Sequence, residues 1–377
     1  MKAKHLIIIA LLAFGNTLWG QKIRVRLFSE RKLDKIELKA SFGAYNLLFD
    51  DTISATMPRN AHIGVVMKDN RLAVSINDSV IGRYKKLKFV SNGLKCFFQI
   101  TPSNDEKLQR RYDDDLIVFC DGKSLICINE VEEYNYVAAV VQSETWGATT
   151  NVEFFKVQAL CCRNYMSKNL AKHSKEDFNL CDSVHCQVYK SRANKPEVIE
   201  AVFLTRGEVI TDDKGKIIET PFHSNSGGMT VAAVDVWGKD VPYLVSVVDS
   251  FSLKSKNLNW EKQIKQREWL NYFRDKGIDI KDSANLDTLL HFSQSEGRKK
   301  DLLGVSLVKI RQDFGLRSTY FNVEPWGSDV KLSGKGYGHG VGLSQEGAII
   351  MCEQGFEYWE VIEHYFPQCK VVKPQDL

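Results

Sequence analysis

Residues 132–144, "EEYNYVAAVVQSE", mark the point at which the chain changes from strand-like to helical patterning. Tyr136 and Val140 recur at the spacing of one helix face, which predicts a helix with a buried side. The glycine-containing stretch "TWGATT" at residues 145–150 interrupts that pattern. The sequence therefore predicts a helix that ends beside Glu144, followed by a short break.

A second helix is predicted in "TNVEFFKVQALCCRNYMSKNLAKH", residues 150–173. Thr150 and Glu153 have the spacing of a capping box, in which each side chain binds the backbone N–H of the other residue, and this predicts where the helix begins. Cys161 and Cys162 lie inside the helical pattern, so we interpret them as small core residues.

The region before these helices, residues 22–130, is predicted to consist of strands. Its short apolar runs partly alternate with polar residues, and turn residues such as those at 92–93 separate them. The strand-like runs are "KIRVRLF", "KIELKAS", "RLAVSI", "LKFVS", "LKCFFQI", "DLIVFCDG" and "SLICI". No cluster of catalytic side chains stands out among them, which favours a β-rich platform.

The region after the helices mixes both kinds of element. Residues 196–250 are predicted to be strands, with a hairpin turn at 212–215. Residues 257–325 are predicted to be helices with one or two strands, and the C-terminal part is predicted to form two helices interrupted at Gly355.

These patterns together predict an α+β protein: a β-rich N-terminal region at 21–130, then a mixed α/β catalytic core at 131–370 with a glycine-lined cleft. Residues 1–20, "MKAKHLIIIALLAFGNTLWG", contain two lysines and an apolar run too short to span a bilayer. That pattern is typical of a secretory signal peptide, with a buried N-terminal helix as the alternative. We therefore expect an exported protein, periplasmic or at the cell surface, without a membrane span after cleavage.

The charges of the chain are nearly balanced, with 51 lysines and arginines against 47 aspartates and glutamates. Nucleic-acid-binding domains usually carry a basic patch and a strongly basic balance. The composition therefore argues against a nucleic-acid partner and is compatible with a neutral polymer such as a glycan.

Glu144 is the first candidate for catalysis. A carboxylate at the C-terminal end of a helix meets the negative end of the helix dipole, and the neighbouring indole of Trp146 limits its hydration. Both effects favour the protonated carboxyl group, which is the form that a general acid needs. The alternative is an ordinary solvated glutamate.

A cysteine- and histidine-rich stretch follows the second helix. The nine cysteines of the chain are an odd number, so at least one is free, binds a metal or pairs between chains. The stretch "HSKEDFNLCDSVHCQVY" at 173–189 offers two histidines and two cysteines as zinc ligands, although their spacing is not that of a common zinc finger: His173, Cys181, His185 and Cys186. The alternatives are a Cys181–Cys186 disulfide in an oxidising compartment, or free thiols.

A glycine-rich stretch, "GKGYGHGVGLSQEGA" at 334–348, contains six glycines. Its spacing matches neither a P-loop nor a dinucleotide-binding turn. It instead indicates a tight backbone path that brings His339 and Gln345 close to a ligand or to a neighbouring strand.

A second polar, glycine-closed stretch is "FHSNSGG" at 222–228, with His223, Ser224 and Ser226. A serine hydrolase is a poor interpretation, because no Gly-x-Ser-x-Gly elbow surrounds the serine.

Taken in order, five motifs resemble the SpoIID/LytB family of bacterial cell-wall proteins: "YVAAVVQSETWGATTNVEFFKVQALCCRNY", "CDSVHCQVY", "FHSNSGGMT", "VWGKDVPYLVSVVD" and "GKGYGHGVGLSQEGAIIM". The resemblance covers most of residues 130–370. It implies either a lytic transglycosylase that acts on peptidoglycan glycan strands or an enhancer of a partner amidase.

The resemblance puts the catalytic glutamate on Glu144. Family members often have Met-Pro directly after it, whereas this chain has Thr145 and Trp146. Because a lytic transglycosylase closes an anhydro ring within the sugar, one glutamate serves as acid and then as base, and a second carboxylate is not required. The resemblance also implies a metal at the cysteine and histidine stretch, in a structural role.

Trp146 departs from the family pattern and is a candidate to stack on a sugar ring. The remaining site residues are implied by the resemblance to bind or orient the sugar: Arg163, Gln187, Tyr189, His223, Ser224, Ser226, His339 and Gln345. Each has a structural alternative: Trp146 packs in the core, Arg163 forms an ion pair, and the others hydrogen-bond the loop backbone. We therefore predict a transglycosylase that cleaves the MurNAc–GlcNAc bond, with a preference for peptide-stripped glycan that the resemblance to the family implies. The rival is a non-catalytic enhancer of an amidase, and a zinc amidase is the less favoured third interpretation.

Overall fold

The structure is a computed structural model that describes residues 22–57, 60–102, 105–145, 147–255 and 257–373. Strands and helices are both abundant, and strands dominate the N-terminal part, so the predicted α+β class with a β-rich N-terminus is confirmed. The predicted signal peptide at 1–20 and the side chain of Trp146 lie outside the described residues. Among the helices that are described, none is both long and apolar enough to cross a membrane.

Within the described residues, eleven strands form one large sheet. They are β1 (Lys22–Leu27), β2 (Lys35–Phe49), β3 (Thr52–Thr56), β4 (His62–Lys68), β5 (Arg71–Ile76), β6 (Ser79–Tyr84), β7 (Lys86–Pro102), β8 (Arg110–Asp113), β9 (Asp115–Cys120), β10 (Leu125–Glu132) and β11 (Leu180–Cys181). Their order is β11-β1-β10-β9-β7-β2-β4-β5-β6, with β3 beside β2 and β8 beside β7. Since β11 follows both predicted helices in the chain, the sheet joins the N-terminal region to the region that follows it.

The Asn92-Gly93 turn predicted between two strands is wrong. β7 continues through these residues as one strand, and its pairing register with β2 shifts there. Ala44 on β2 lies opposite Asn92, whereas Phe42 lies opposite Phe97. Four residues of β7 therefore face one residue of β2, which makes this pair of residues the start of a β-bulge rather than of a hairpin.

The two central helices are α1 (Glu133–Thr145) and α2 (Val152–Asn169). They pack against each other, and α1 also packs on β1 and β10. Cys161 and Cys162 are fully buried, as predicted.

The capping box predicted from Thr150 and Glu153 is wrong. Asn151 caps α2 instead, because its side-chain oxygen accepts the N–H of Phe154 at 3.2 Å. Glu153 pairs with Lys156 and accepts the backbone N–H of Tyr358, which leaves it no part in the cap.

The elements after residue 190 run in this order: α3 (Pro196–Leu204), β12 (Val209–Thr211), β13 (Phe222–His223), α4 (Ala233–Trp237), β14 (Asn259–Lys265), α5 (Gln266–Arg274), α6 (Ser283–Leu290), β15 (Asp301–Leu302), β16 (Val305–Ser306), α7 (Leu307–Asp313), β17 (Phe321–Trp326), β18 (Asp329–Lys335), β19 (Leu343–Ser344), α8 (Gln345–Glu353), α9 (Tyr358–Tyr365) and β20 (Lys370–Val372). Short 3₁₀ turns occur at Glu106–Leu108 and Ser250–Lys254. The two C-terminal helices, α8 and α9, were predicted.

The prediction of a strand at the start of 196–250 is wrong, because these residues form α3. Pro196 stands at the first helical position, where its missing N–H costs nothing, and Val198, Ala201 and Val202 are buried at helical spacing. The hairpin turn at 212–215 is present, since the N–H of Ile218 bonds to the carbonyl of Ile210 at 3.1 Å.

Two hydrophobic cores are present in the described part of the chain. The larger one joins the sheet to α1, α2, α3, α8 and α9. The smaller one lies between residues 260 and 332, around the fully buried Trp269. The polar residues of the candidate site are carried by the elements of the larger core.

Candidate functional site

Glu144 lies in the last turn of α1 and holds a neighbouring loop. Its Oε1 accepts the backbone N–H of Val188 at 2.8 Å. The two residues before it act in the same way: Ser143 Oγ accepts the N–H of Lys190 at 3.3 Å, and Gln142 accepts two further backbone N–H groups at 194 and 195. Three consecutive side chains therefore fix the loop against the helix end.

The carboxyl group of Glu144 is half-buried, and this burial raises its pKa. The N–H of Val188 and the ammonium of Lys190 act in the opposite direction but do not reverse the shift. The shift is therefore towards the protonated form, the direction that the sequence predicted. Burial is the main cause within the described residues.

Gln187 and Tyr189 anchor the same loop on the side that faces the core. Gln187 is 2% exposed, and its carbonyl oxygen accepts the hydroxyl of Tyr136 at 3.0 Å. Its amide nitrogen is buried and has no hydrogen-bond partner among the described residues. Tyr189 is 1% exposed and donates its hydroxyl to Asn129 at 2.6 Å, so the structure places it in the core rather than at a surface.

Arg163 on α2 is buried in an ion pair. Its Nε donates to Glu133 at 2.7 Å, and its Nη1 donates to the carbonyl of Glu208 at 3.0 Å. The structural alternative predicted for this arginine is therefore present. It joins the start of α1 to the chain that follows α3.

The four cysteine and histidine candidates lie together, with their ligand atoms all within 4.8 Å of one another: His173, Cys181, His185 and Cys186. The cysteines are free thiols in the structure, not a disulfide. Cys186 donates to Cys181 and holds the pKa of the Cys181 thiol well below its usual range. Two sulfurs and two imidazole nitrogens at this separation fit tetrahedral zinc, with no position left open for a reaction.

The ring orientation of His173 also fits a metal ligand. Its Nδ1 lies 2.9 Å from a carboxylate oxygen of Glu176, while its Nε2 lies 3.5 Å from the sulfur of Cys186. A carboxylate on the far ring nitrogen is a common arrangement for histidines that bind metals, because it fixes the tautomer. The cluster lies two residues from Val188, and so it lies next to the loop that Glu144 holds.

His339, in the glycine-rich stretch, uses both ring nitrogens on backbone. Nδ1 accepts the N–H of Val341 at 3.1 Å, so the proton is on Nε2, which donates to the carbonyl of Phe222 at 3.0 Å. Burial lowers its pKa to about 4, which keeps the ring neutral near pH 7. His339 therefore clamps two chain segments together.

His223 and Ser226 are also buried. His223 lies 3.2 Å from the carbonyl of Val341 through Nδ1, and its Nε2 has no partner among the described residues. Ser226 donates its hydroxyl to Asp249 at 2.6 Å and lies 2.8 Å from the hydroxyl of Ser252. This network closes the polar loop from inside.

Ser224 and Gln345 are half-buried and more accessible. The carbonyl of Ser224 accepts the N–H of Glu346 at 2.9 Å. Gln345 donates to Gln158 of α2 at 3.2 Å, and Gln158 in turn lies 3.6 Å from the sulfur of Cys162.

A path of contacts therefore runs from the glycine-rich stretch to the interior of α2. At that point the pKa of the Cys162 thiol is raised, mainly because the thiol is buried and secondly because the charge of Glu144 lies nearby. The two polar regions thus approach each other across α2.

Sequence analysis missed several residues whose side chains make structural contacts at the candidate site. Gln142 and Ser143 precede Glu144 directly, and their place in the last helical turn was the signal that was available. Asp249 is fully buried and receives Ser226, but nothing in the sequence around it links it to a serine 23 residues earlier. Trp237 at the end of α4 is 50% exposed and lies against His339, with ring centroids 5.4 Å apart.

Comparison with known proteins gives one family match. The family model described as "Stage II sporulation protein" matches residues 121–211, which contain Glu144 and the cysteine and histidine cluster. The chain is 31% identical over 254 residues to Stage II sporulation protein D of Bacillus amyloliquefaciens, covering 61% of this chain and 71% of that protein.

Two further relatives differ in how much they share. The chain is 26% identical to an uncharacterised protein of Brachyspira hyodysenteriae over 366 residues, which cover 93% of this chain and 92% of that protein. It is 24% identical to the Amidase enhancer of Bacillus subtilis over 277 residues, covering 58% of this chain and 38% of that protein.

Proposed function

The chain belongs to the SpoIID/LytB family, and we propose that it is a peptidoglycan lytic transglycosylase that cleaves the β-1,4 bond between MurNAc and GlcNAc. One observation carries the proposal. Glu144 is a half-buried carboxyl group with a raised pKa at the end of a helix, next to a loop that three side chains hold in place.

The chemistry requires one such group. The protonated carboxyl of Glu144 donates its proton to the glycosidic oxygen as the bond breaks. The resulting carboxylate takes the proton of the C6 hydroxyl of the muramoyl sugar, which closes a 1,6-anhydro ring. A carboxyl whose pKa is raised towards the working pH is suited to both steps.

The loop after the cysteine and histidine cluster surrounds the carboxyl group of Glu144. Val188 keeps the carboxyl oriented, and Lys190 places a positive charge near the carboxylate that forms. Gln187 contributes a buried amide nitrogen with no partner in the described part of the chain, which suits a bound water that steadies the loop. Gln345 and Ser224 remain proposed sugar contacts, since both are partly accessible.

A structural zinc ion is part of the proposal. His173, Cys181, His185 and Cys186 would hold it, and its contribution is to fix the loop that begins at Cys186 and reaches Glu144. These four residues would fill every position of a tetrahedral ion, so no step of the reaction is assigned to it.

A protein that acts on peptidoglycan has to be exported. Peptidoglycan lies outside the cytoplasmic membrane, and residues 1–20 have the pattern of a signal peptide. We therefore place the mature protein in the periplasm or at the cell surface.

The test is mass spectrometry of the products that the purified mature protein releases. Substrates are intact peptidoglycan and peptidoglycan stripped of its peptides, each incubated with wild type, Glu144→Gln and Glu200→Gln. Glu200 is an exposed glutamate on α3 and serves as the matched control. We expect anhydro-muramoyl ends from wild type and from the control, and a loss of about 10²- to 10⁴-fold for Glu144→Gln.

The second candidate is a non-catalytic peptidoglycan-binding enhancer of an amidase. The relative named Amidase enhancer and the unusual Thr145-Trp146 after Glu144 favour it. Absence of product from all three proteins on both substrates, with increased peptide release when a cell-wall amidase is added, is the outcome that would replace the transglycosylase by this function.

A further inference from the structure

Trp237 is a large aromatic side chain that the fold leaves half in solvent. Its side chain is 50% exposed, although burial of a tryptophan is strongly favourable. One side of the indole lies against His339, with ring centroids 5.4 Å apart and a tilt of 50° between the rings. An exposed aromatic next to a proposed binding cleft therefore needs an explanation.

The short helix that carries Trp237 is fixed at both ends. The N–H of Ala233 bonds to the carbonyl of Leu244 at 2.9 Å, and Gly238 closes the helix in the left-handed conformation with a φ of 68°. Asp235 also forms an ion pair with Lys300 at 2.6 Å. The indole is therefore held at a defined position rather than on a free loop.

His339, which supports the indole, has no polar atom left for a ligand. Both of its nitrogens bind backbone, and its ring is neutral near pH 7. Its contribution at this point is an aromatic face. The indole of Trp237 is an aromatic group that this part of the site presents to solvent, and Tyr337 of the glycine-rich stretch is a second one, 47% exposed.

We propose that Trp237 is a stacking platform for one pyranose ring of the glycan strand, and that His339 is a positioning residue beneath it. The inference rests on the proposed function and adds a named binding contact to it. The apolar C–H face of a pyranose ring packs on an aromatic face, while the hydroxyl groups at the ring edge stay in water. An indole that is supported on one side and exposed on the other fits that requirement.

A protein partner is the other class of ligand for an exposed tryptophan. The apolar surface on this helix face consists of Trp237 and Val234, three residues earlier and 44% exposed. The residues that follow are the glycine cap, Lys239 and Asp240, all exposed. A stable protein interface buries about 800 Å² on each partner with an apolar centre. The two side chains of this helix are too few for that by themselves, and a single sugar ring matches the indole in size. Val245 and Val248 of the following segment are also exposed, so the protein partner is kept as an outcome of the test.

The test measures binding without turnover. In the Glu144→Gln background, calorimetric titration with a peptide-free GlcNAc–MurNAc tetrasaccharide gives the dissociation constant of the parent. Trp237→Ala is expected to weaken binding about tenfold or more, which corresponds to about 1.4 kcal/mol. Trp237→Phe keeps an aromatic face and is expected to retain most of the affinity.

Trp326→Ala is the matched control, because Trp326 is 53% exposed and lies at the end of β17 that pairs with Asp329, whereas Gly334 of the glycine-rich stretch pairs with Phe321 at the other end. We expect it to bind like the parent. Thermal melts of all variants separate lost binding from lost folding, and Trp237→Phe keeps the test informative if the alanine variant is unstable.

The outcomes separate this inference from the proposed function. If Trp237→Ala binds as tightly as Trp326→Ala while the wild type makes anhydro products, the stacking role is overturned and the enzyme stands. If Trp237→Ala loses binding but the wild type makes no product, the glycan site stands and the transglycosylase falls. If the parent does not bind the tetrasaccharide, the stacking role is overturned. If, in that case, Trp237→Ala no longer binds an amidase that the parent binds, Trp237 is a protein contact instead.

Discussion

The end of α1 and the glycine-rich stretch at 334–348 are both rich in polar side chains, but they use them in opposite ways. At the end of α1, the side chains of Gln142, Ser143 and Glu144 bind the backbone of a neighbouring loop. Glu144 keeps one oxygen for that contact and has a second oxygen on the same half-buried carboxyl group.

In the glycine-rich region, by which we mean the stretch at 334–348 and the segments 222–228 and 249–257 that hydrogen-bond with it or with each other, polar side chains bind other parts of the protein. Both nitrogens of His339 bind backbone, and Ser226 is shared between Asp249 and Ser252. Asn225 and Asn257 both donate to Glu346. These residues resemble catalytic groups in the sequence, yet their hydrogen-bonding capacity is largely satisfied by the protein.

The difference teaches that polar side chains near a cleft contribute chemistry only where their partners are incomplete. Glu144 combines partial burial with a raised pKa, which is the kind of unfavourable environment that functional sites retain. In the glycine-rich region, His339 and Ser226 combine burial with paired polar atoms, which is what stabilises a fold, whereas the buried Nε2 of His223 has no partner among the described residues. Three predictions test this contrast.

Loss of the proposed zinc ligands has the largest expected effect, because the ion would fix the loop that reaches Glu144. Cys181→Ser is expected to lower bound zinc from about one ion per chain to near zero, to lower the melting temperature and to reduce product formation by more than about 100-fold. Plasma mass spectrometry of the purified protein measures the metal.

Two companion variants sharpen this first prediction. Glu176→Gln removes only the carboxylate behind His173, so we expect a metal affinity about 10- to 100-fold weaker with the fold intact. Cys120→Ser changes a half-buried thiol on β9 and serves as the control. A wild-type protein that folds and acts without metal would contradict the structural zinc, and so would a Cys181→Ser variant with full activity.

Local patterns predicted the parts of the site that depend on neighbouring residues. The break after "VVQSE" located the end of α1, and the spacing of histidines and cysteines in 173–189 identified a cluster that does come together. Both are properties of a short stretch of chain. They need no knowledge of what packs on them.

The parts that failed depend on contacts between distant residues. Asn92-Gly93 favours a turn locally, but pairing with β2 over the length of β7 overrides it. The β-branched run in α3 favours a strand until its buried face is known. Phe222, one of the two partners of His339, lies 117 residues away, and Asp249, a partner of Ser226, lies 23 residues away, so no local pattern distinguishes a ligand contact from a structural one.

The second prediction concerns Ser226 and has an intermediate effect on stability. Ser226→Ala removes one donor from the fully buried Asp249, so we expect a loss of about 1–3 kcal/mol in the free energy of unfolding. Turnover should change little once the protein is folded, because the hydroxyl takes no part in the proposed reaction. Ser224→Ala, at a half-buried position in the same loop, is the control and should be nearly neutral in stability. A Ser226→Ala protein that is stable but inactive would show that the glycine-rich region contributes chemistry directly.

The smallest expected effect is the pH dependence of stability at Glu144. Burial raises the pKa of this carboxyl in the folded protein, while the N–H of Val188 and the charge of Lys190 oppose the shift, and the thiol of Cys162 and the phenol of Tyr136 lie in its field. Because the folded pKa exceeds the unfolded one, the wild type loses stability as the pH rises from the unfolded value through the folded value.

Glu144→Gln does not titrate and keeps an acceptor for Val188, so it should match the wild type in acid and melt at a slightly higher temperature at neutral pH. Melting curves of both proteins between pH 4 and pH 8 measure the difference, in which the other titrating groups cancel, and Glu200→Gln should show no such trend. A Glu144→Gln protein that is less stable than the wild type at neutral pH would mean that Lys190 and Val188 stabilise the carboxylate more than burial destabilises it, and Glu144 would then resemble the fully paired groups of the glycine-rich region.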